Sequence, residues 1–161
     1  LKMVYKYAQS SDINNIIFWI KPHPSIQEKV LKKWWGKEWP EEFHLIRGDF
    51  SLLIMKSNLL ISGMSSVCLE TIAMGIPLII IENVSGLRFN SIPEELSSKM
   101  WQNCKSPLDI KKSINYFRSR TTDKINEDKK IGLKIKKNYF EKVTPNTIAR
   151  FLETDRMKEL N

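Results

Sequence analysis

Apolar positions along this chain come as short runs set between amphipathic stretches. The opening LKMVYKYAQ places Met3, Val4, Tyr7 and Ala8 on one side of a helix over residues 1–11. Asn14 and Asn15 break that period, and Ile16 to Ile20 reads as a strand of high β propensity. Lys21-Pro22-His23-Pro24 stops it. Ser25 is placed to cap a helix from Ile26 to about Trp35, with Glu28 three residues on completing a capping box. Gly36 and Pro40 end that segment, Phe43 to Arg47 forms a short strand, and Gly48-Asp49 turns into a brief helix from Phe50 to Lys56.

The densest pattern runs from Asn58 to Glu82. Leu59 to Ile61 is a strand, Ser62 to Ser66 a turn of small residues, and Val67 to Met74 a helix stopped by Gly75 and Pro77. Leu78 to Ile81 is a second strand. Both strands are too apolar to face water on either side, which predicts a βαβ unit in a parallel sheet. Its turn then lies at the carboxyl end of a strand, where unpaired N–H groups and the helix dipole favour an anion. Gly63 lets a phosphate approach the backbone, and Ser65 and Ser66 add hydroxyl donors. This is the pattern of a phosphate-binding turn.

Beyond Glu82 the chain reads as loop, with one helical turn near Pro93 to Leu96, before a last strand over Lys99 to Cys104. Pro107 opens a helix whose apolar face is Leu108, Ile110, Ile114 and Phe117. A polar link, Arg118 to Asn126, leads to a long basic helix ending near Lys142, and Thr144-Pro145 starts a terminal helix carrying Ile148, Phe151 and Leu152. Strands alternating with helices predict an α/β fold with a Rossmann-like, doubly wound parallel sheet over 1–120 and a C-terminal helical extension over 121–161.

Composition narrows the function. A length of 161 residues suits one domain with a real core. No apolar run approaches the roughly 20 residues that span a bilayer. The net charge of +8 collects in Lys29 to Lys37 and Lys124 to Lys142, which suits nucleic acid, anionic lipid or a phosphorylated substrate. Solvated helix faces explain the second cluster equally well. No recognisable nucleic-acid module accompanies the charge, so no nucleic-acid partner is expected. Cys68 and Cys104 give neither a disulfide framework nor metal-ligand spacing, and a reducing cytoplasm is the default. Cys68 reads as a small apolar filler. The chain opens inside an amphipathic stretch with no secretory signal, as a piece of a longer protein would.

Chemistry concentrates where strands end. His23 is fixed between two prolines beside Lys21, suited to grip a phosphate or assist its departure; the plain alternative is a turn histidine bonded to backbone. Ser65 and Ser66 read equally as ordinary helix caps. Glu70 lies one turn beyond Ser66 and can accept ribose hydroxyls, or simply favour the helix dipole. Glu82, Asn83 and Arg88 border the same edge with weaker signal. His44 reads as structural. Trp34, Trp35 and Trp39 fit a core edge better than a membrane or partner contact.

The order of IKPHPS (Ile20 to Ser25), ISGMSSVCLETIAMGIPLIII (Ile61 to Ile81) and YFEKVTPNTIARFL (Tyr139 to Leu152) resembles the carboxyl-terminal half of a GT-B glycosyltransferase. The likeness is to enzymes of bacterial surface, capsular and lipopolysaccharide biosynthesis, and more loosely to CDP-glycerol glycerophosphotransferases and polysialyltransferases. It implies a domain that binds a nucleotide-sugar donor, CMP- or CDP-linked by preference and UDP-linked as an option, with no metal and no other cofactor. Lys21, His23, Gly63, Ser65, Ser66, Glu70, Glu82 and Arg88 would meet donor phosphate and ribose, His23 also acting catalytically. The acceptor would be a glycan or lipid-linked group, and the amino-terminal domain that binds it lies outside this sequence, so the chain alone is expected to be inactive. A cytoplasmic place, peripheral to the inner face of the membrane, follows. The family's first strand, central in its sheet, is not evident; residues 1–11 do not replace it, so the sheet closes up or the gap is filled otherwise. Two rivals remain: half of a non-hydrolysing sugar-nucleotide epimerase, or a basic module binding nucleic acid or anionic membrane.

Overall fold

The computed structural model describes residues 1–10, 15–36, 38–63, 65–82, 92–93, 96 and 100–158. Five short strands form two parallel sheets. In the first, β1 (Phe18–Ile20) pairs with β2 (Phe43–Leu45), Phe18 opposite Phe43. The second has the order β3-β4-β5, from β3 (Leu60–Ser62), β4 (Leu78–Ile81) and β5 (Trp101–Cys104). The helices are α1 (Lys2–Ser10), α2 (Glu28–Trp35), α3 (Phe50–Ile54), α4 (Val67–Ala73), α5 (Pro107–Arg118), α6 (Thr122–Tyr139) and α7 (Pro145–Lys158). The protein is therefore α/β with parallel strands. Among the described residues the sheet does not close up: it stays divided between β1 and β3.

Side-chain alternation along the strands sends neighbouring residues to opposite faces and builds two apolar cores. Phe18, Phe43, Ile79 and Cys104 share one face with Val4, Tyr7 and Ala8 of α1 and Ile110, Ile114 and Phe117 of α5; Ile20, Leu59, Ile61 and Ile81 join them. Leu78 and Ile80 point the other way, onto Cys68, Ile72 and Ala73 of α4 and Ile135 of α6. The first core spans both sheets, although no backbone ladder does. Trp35 and Trp39 close its edge: Tyr5 meets Trp35 edge-on at 4.9 Å, and Trp39 Nε1 donates to the Phe43 carbonyl at 2.6 Å. The Trp34 side chain lies outside the described set.

Some local expectations are corrected. Ser25 does not cap α2, and the capping box with Glu28 is absent. The helix starts later, with Gln27 at its cap position and no side-chain cap bond, because the Ser25 hydroxyl is engaged with His23. Glu28 instead pairs with Lys32 at 2.8 Å, and that ammonium holds its carboxyl below the usual range. The link before the basic helix is shorter than 118–126, because Thr121 accepts a bond from the Lys124 amide and Asp123 sits in the first turn of α6. Leu108 is exposed rather than part of the apolar face of α5. The loop expected after Glu82, with Asn83 and Arg88, lies largely outside the described residues. Within it, the Leu96 amide donates to the Pro93 carbonyl at 3.1 Å, as a turn there requires.

Helix α6 is fixed by one narrow stripe, Asp128, Gly132 and Ile135, and its lysines lie outside that stripe. At Gly132 a Cβ would lie 2.5 Å from the Gly75 nitrogen and 2.8 Å from the Ile72 carbonyl oxygen. Gly75 itself has φ +75°, and its own Cβ would meet Lys129 Cα at 2.8 Å. The two backbones thus touch where neither residue carries a side chain. One turn earlier, Asp128 accepts a bond from Arg120 Nη2 at 2.6 Å and forms an ion pair with Nη1, and both side chains are almost wholly buried. Burial pushes the Asp128 carboxyl up, and the guanidinium works against that shift.

Gly132→Ala is expected to lower the stability by about 1–3 kcal/mol, read as a reduced urea midpoint at unchanged slope, because backbone must move to admit the methyl group. Asp128→Ala should cost more, about 3–5 kcal/mol in the same measurement, since it leaves the buried Arg120 charge uncompensated.

Candidate functional site

Parallel strands put the loops that follow them on one edge of each sheet, and four of the five described strands carry a residue of interest there. Lys21 and His23 follow β1. Gly63, Ser65 and Ser66 follow β3. Glu82 follows β4, and Lys105 follows β5. Lys21, Pro22, Ser62 and Gly63 come together as walls of one cleft of about 1140 Å³ that runs between the two sheets. His23, Ser65, Ser66 and Glu70 lie beyond that lining. Arg88 lies outside the described residues.

His23 is exposed and held by its own loop. Its Nδ1 lies 2.7 Å from the Ser25 hydroxyl and 3.3 Å from the Ser25 amide nitrogen, and the His23 carbonyl accepts from the Ile26 amide at 2.8 Å. A backbone N–H can only donate, so Nδ1 must accept and the neutral ring carries its proton on Nε2. This is the geometry of a turn histidine bonded to backbone.

The turn after β3 leads into α4 through Ser65 and Ser66, whose carbonyls accept from the Cys68 amide at 3.0 Å and the Leu69 amide at 3.1 Å. Ser66 adopts helical angles and its hydroxyl makes no capping bond. The Cys68 thiol reaches back to the Gly63 carbonyl at 3.4 Å and braces the turn from inside. Around Gly63 nothing stands within 4 Å of where a Cβ would be, so its backbone is open to approach. Glu70 sits half-buried in the first turn of α4. At seven residues α4 contributes only a short dipole, so anion binding here depends on loop amides, hydroxyls and cations.

By contrast, α5 closes its own start. Ser106 accepts from the Asp109 amide at 3.1 Å, and Asp109 accepts from the Lys105 amide at 3.0 Å. A bond from the Ser106 hydroxyl to the Asp109 carboxyl, together with that from the Lys105 amide, holds this carboxyl below its usual range. Lys105 was missed in the sequence. Its Nζ lies 3.4 Å from Glu82, bringing a cation to the strand edge beside an expected site carboxylate. The signal was there in CKSP (Cys104 to Pro107), a strand end followed by a serine cap and an N1 proline. Cys104 packs in the core against Ser113, and burial pushes its thiol up. Among the described residues no three His, Cys, Asp or Glu side chains gather as a metal ion would need, and no helix is long and apolar enough to cross a membrane.

No family model, no curated protein and no solved structure matches this chain.

In a long-range nitrogen–proton spectrum the neutral His23 ring is expected to show the Nε2-protonated pattern. Ser25→Pro, which removes the amide donor, should mix the two tautomers; an Nδ1-protonated ring in the parent protein would contradict the geometry.

Proposed function

We propose that this chain is a nucleotide-binding domain of a glycosyltransferase, of the GT-B carboxyl-terminal type that the motif order resembles, with a Rossmann-like sheet as its ancestry. The observation that carries the reading is the placement of Lys21 and Gly63 on the walls of one cleft, with His23, the paired serines, Glu82 and Lys105 in segments that follow strands of the two parallel sheets. In open α/β sheets that edge receives ligands. The donor is a CMP- or CDP-linked sugar by preference, with UDP as the alternative base.

The chemistry follows from charge. As the glycosyl group leaves, negative charge builds on the nucleotide phosphate, and groups already aimed at it lower the barrier. His23 Nε2–H, Lys21, the amides around Gly63 and the hydroxyls of Ser65 and Ser66 supply donors without a metal ion. Glu70 accepts from ribose hydroxyls. Glu82 retains lone pairs beyond its pairing with Lys105, an exposed ion pair that adds little stability by itself. The acceptor, a surface glycan or its lipid-linked precursor, requires a second domain, as the resemblance implies. The epimerase and basic-module readings gain no specific support from the geometry, and the Lys124 to Lys142 segment reads best as a solvated helix face.

A calorimetric titration with CMP, CDP, UDP and GDP tests both binding and base preference. The cytidine nucleotides should bind most tightly, and Ser66→Ala or His23→Ala should each weaken binding about tenfold, as loss of a charge-assisted bond does. Equal affinity in the parent and both variants would remove the site.

A further inference from the structure

The cleft between the sheets has two backbone walls. The Ile46 amide donates to the Ile20 carbonyl at 3.0 Å, so Ile20 turns its backbone groups towards β2. The Leu60 amide donates to the Pro77 carbonyl at 3.0 Å, so Leu60 faces β4. Backbone direction alternates residue by residue along a strand. The N–H and C=O of Trp19 therefore point away from β2, and those of Ile61 away from β4. Residues 16–20 and 59–62 all line the one cleft. Each wall is thus the unpaired edge of a parallel ladder, and each edge offers a donor and an acceptor to the cleft.

Side chains around this cleft are those of an interior. Leu1, Ile17, Trp19, Met55 and Ile125 all line it and are all exposed, Ile17 at 70% and Trp19 at 41%. Ile17 and Trp19 lie on the face of β1 opposite Phe18, which is the face that neither apolar core covers. Natural sheets blunt such edges with charge, proline or a cover. Here the edge is apolar and continuous with the core on the other face, through Ile20 and Ile61. The ionisable lining is lopsided: Lys21, Lys56, Arg118 and Lys129 are cationic, whereas Asp128 is engaged by Arg120. Arg120 Nε is buried and has no acceptor.

We propose that this cleft is a strand acceptor: it takes one extended, apolar polypeptide segment with acidic flanks, from outside these residues. That segment bonds to the Trp19 edge on one side and the Ile61 edge on the other and joins the two sheets into one. Paired edges, covered Ile17 and Trp19, and an anion near the cationic rim all follow from a single occupant. A small molecule would satisfy the rim but leave both ladders open. A polar segment would leave Ile17 and Trp19 in water. Neither edge depends on His23 or Ser66, although the cleft shares Lys21 and Gly63 with the proposed nucleotide site.

Amide hydrogen exchange on the full chain, with the peptide ETVIVTE acetylated and amidated at its ends, tests the assignment. Trp19 and Ile61 amides should exchange quickly in the free protein and slow at least about tenfold when peptide is saturating. The peptide KTVIVTK should bind more weakly, the difference shrinking as salt is raised. Ile17→Glu should leave thermal unfolding unchanged, because that side chain is already in water, and should weaken ETVIVTE binding about tenfold. The proposal is overturned by slow exchange of both amides in the free protein, whether the cause is direct pairing of the edges or a dimer seen in sedimentation. Unchanged exchange at about 1 mM peptide, or binding indifferent to Ile17→Glu, overturns it equally.

Discussion

Side-chain packing across a break in the backbone ladder is the constraint on which the rest of this structure depends. Sheets are ordinarily continuous because hydrogen bonds between strands and burial of their faces act together. Here they are separated. Phe18 and Phe43 belong to one ladder, Ile79 and Cys104 to another, and a common layer of α1 and α5 side chains makes one core of them. Apolar burial is non-directional, so it can hold two sheets side by side without fixing a strand register between them. The relative placement of the β1 loop and the β3 loop, and with it any site shared by His23 and Ser66, therefore rests on Val4, Tyr7, Ile114 and Phe117.

A different device secures the opposite face. The glycines at 75 and 132 let α4 and α6 approach until backbone meets backbone, and the Arg120–Asp128 pair closes the end of that contact. Such a crossing tolerates little change in volume, whereas the apolar layer on the other face can repack. The turn that carries Ser65 and Ser66 is attached to α4. It is thereby attached to the face where backbone meets backbone, while Lys21 and His23 follow β1, which joins β4 and β5 through the side chains of the first core. Small relative shifts of the two sheets would alter the distance between them without breaking a hydrogen-bonded ladder.

Much of the architecture was legible in the sequence because its signals are local. Period-3.6 apolarity gave α1, α2 and α5; short apolar runs gave β1, β3 and β4; and Pro107 and Pro145 marked helix starts. What sequence could not decide was non-local. The division into two sheets depends on which strand edges meet, and a strand's pattern says which faces are apolar but not which neighbour is present. Ser25 failed as a cap because a histidine two residues away competed for its hydroxyl. Lys105 escaped notice because only the β4–β5 pairing brings it to Glu82. The need for glycine at 132 is likewise non-local, because only the tertiary fold sets Gly75 against it.

The candidate site joins local chemistry to this non-local arrangement. Each loop is well formed alone: the His23 turn fixes its tautomer, the serine turn is braced by Cys68, and Glu82 meets Lys105. Their value to a ligand lies in being held together, because binding gains most when donors need no rearrangement on contact. A nucleotide that bridged the two loops would bind one loop from each half of the molecule. It would stabilise the sheet-to-sheet arrangement by mass action, and anything that fixes that arrangement would in turn tighten nucleotide binding by the same factor. Reciprocity of this kind distinguishes a site built across the divide from two independent anion sites, which would bind without regard to the state of the cleft.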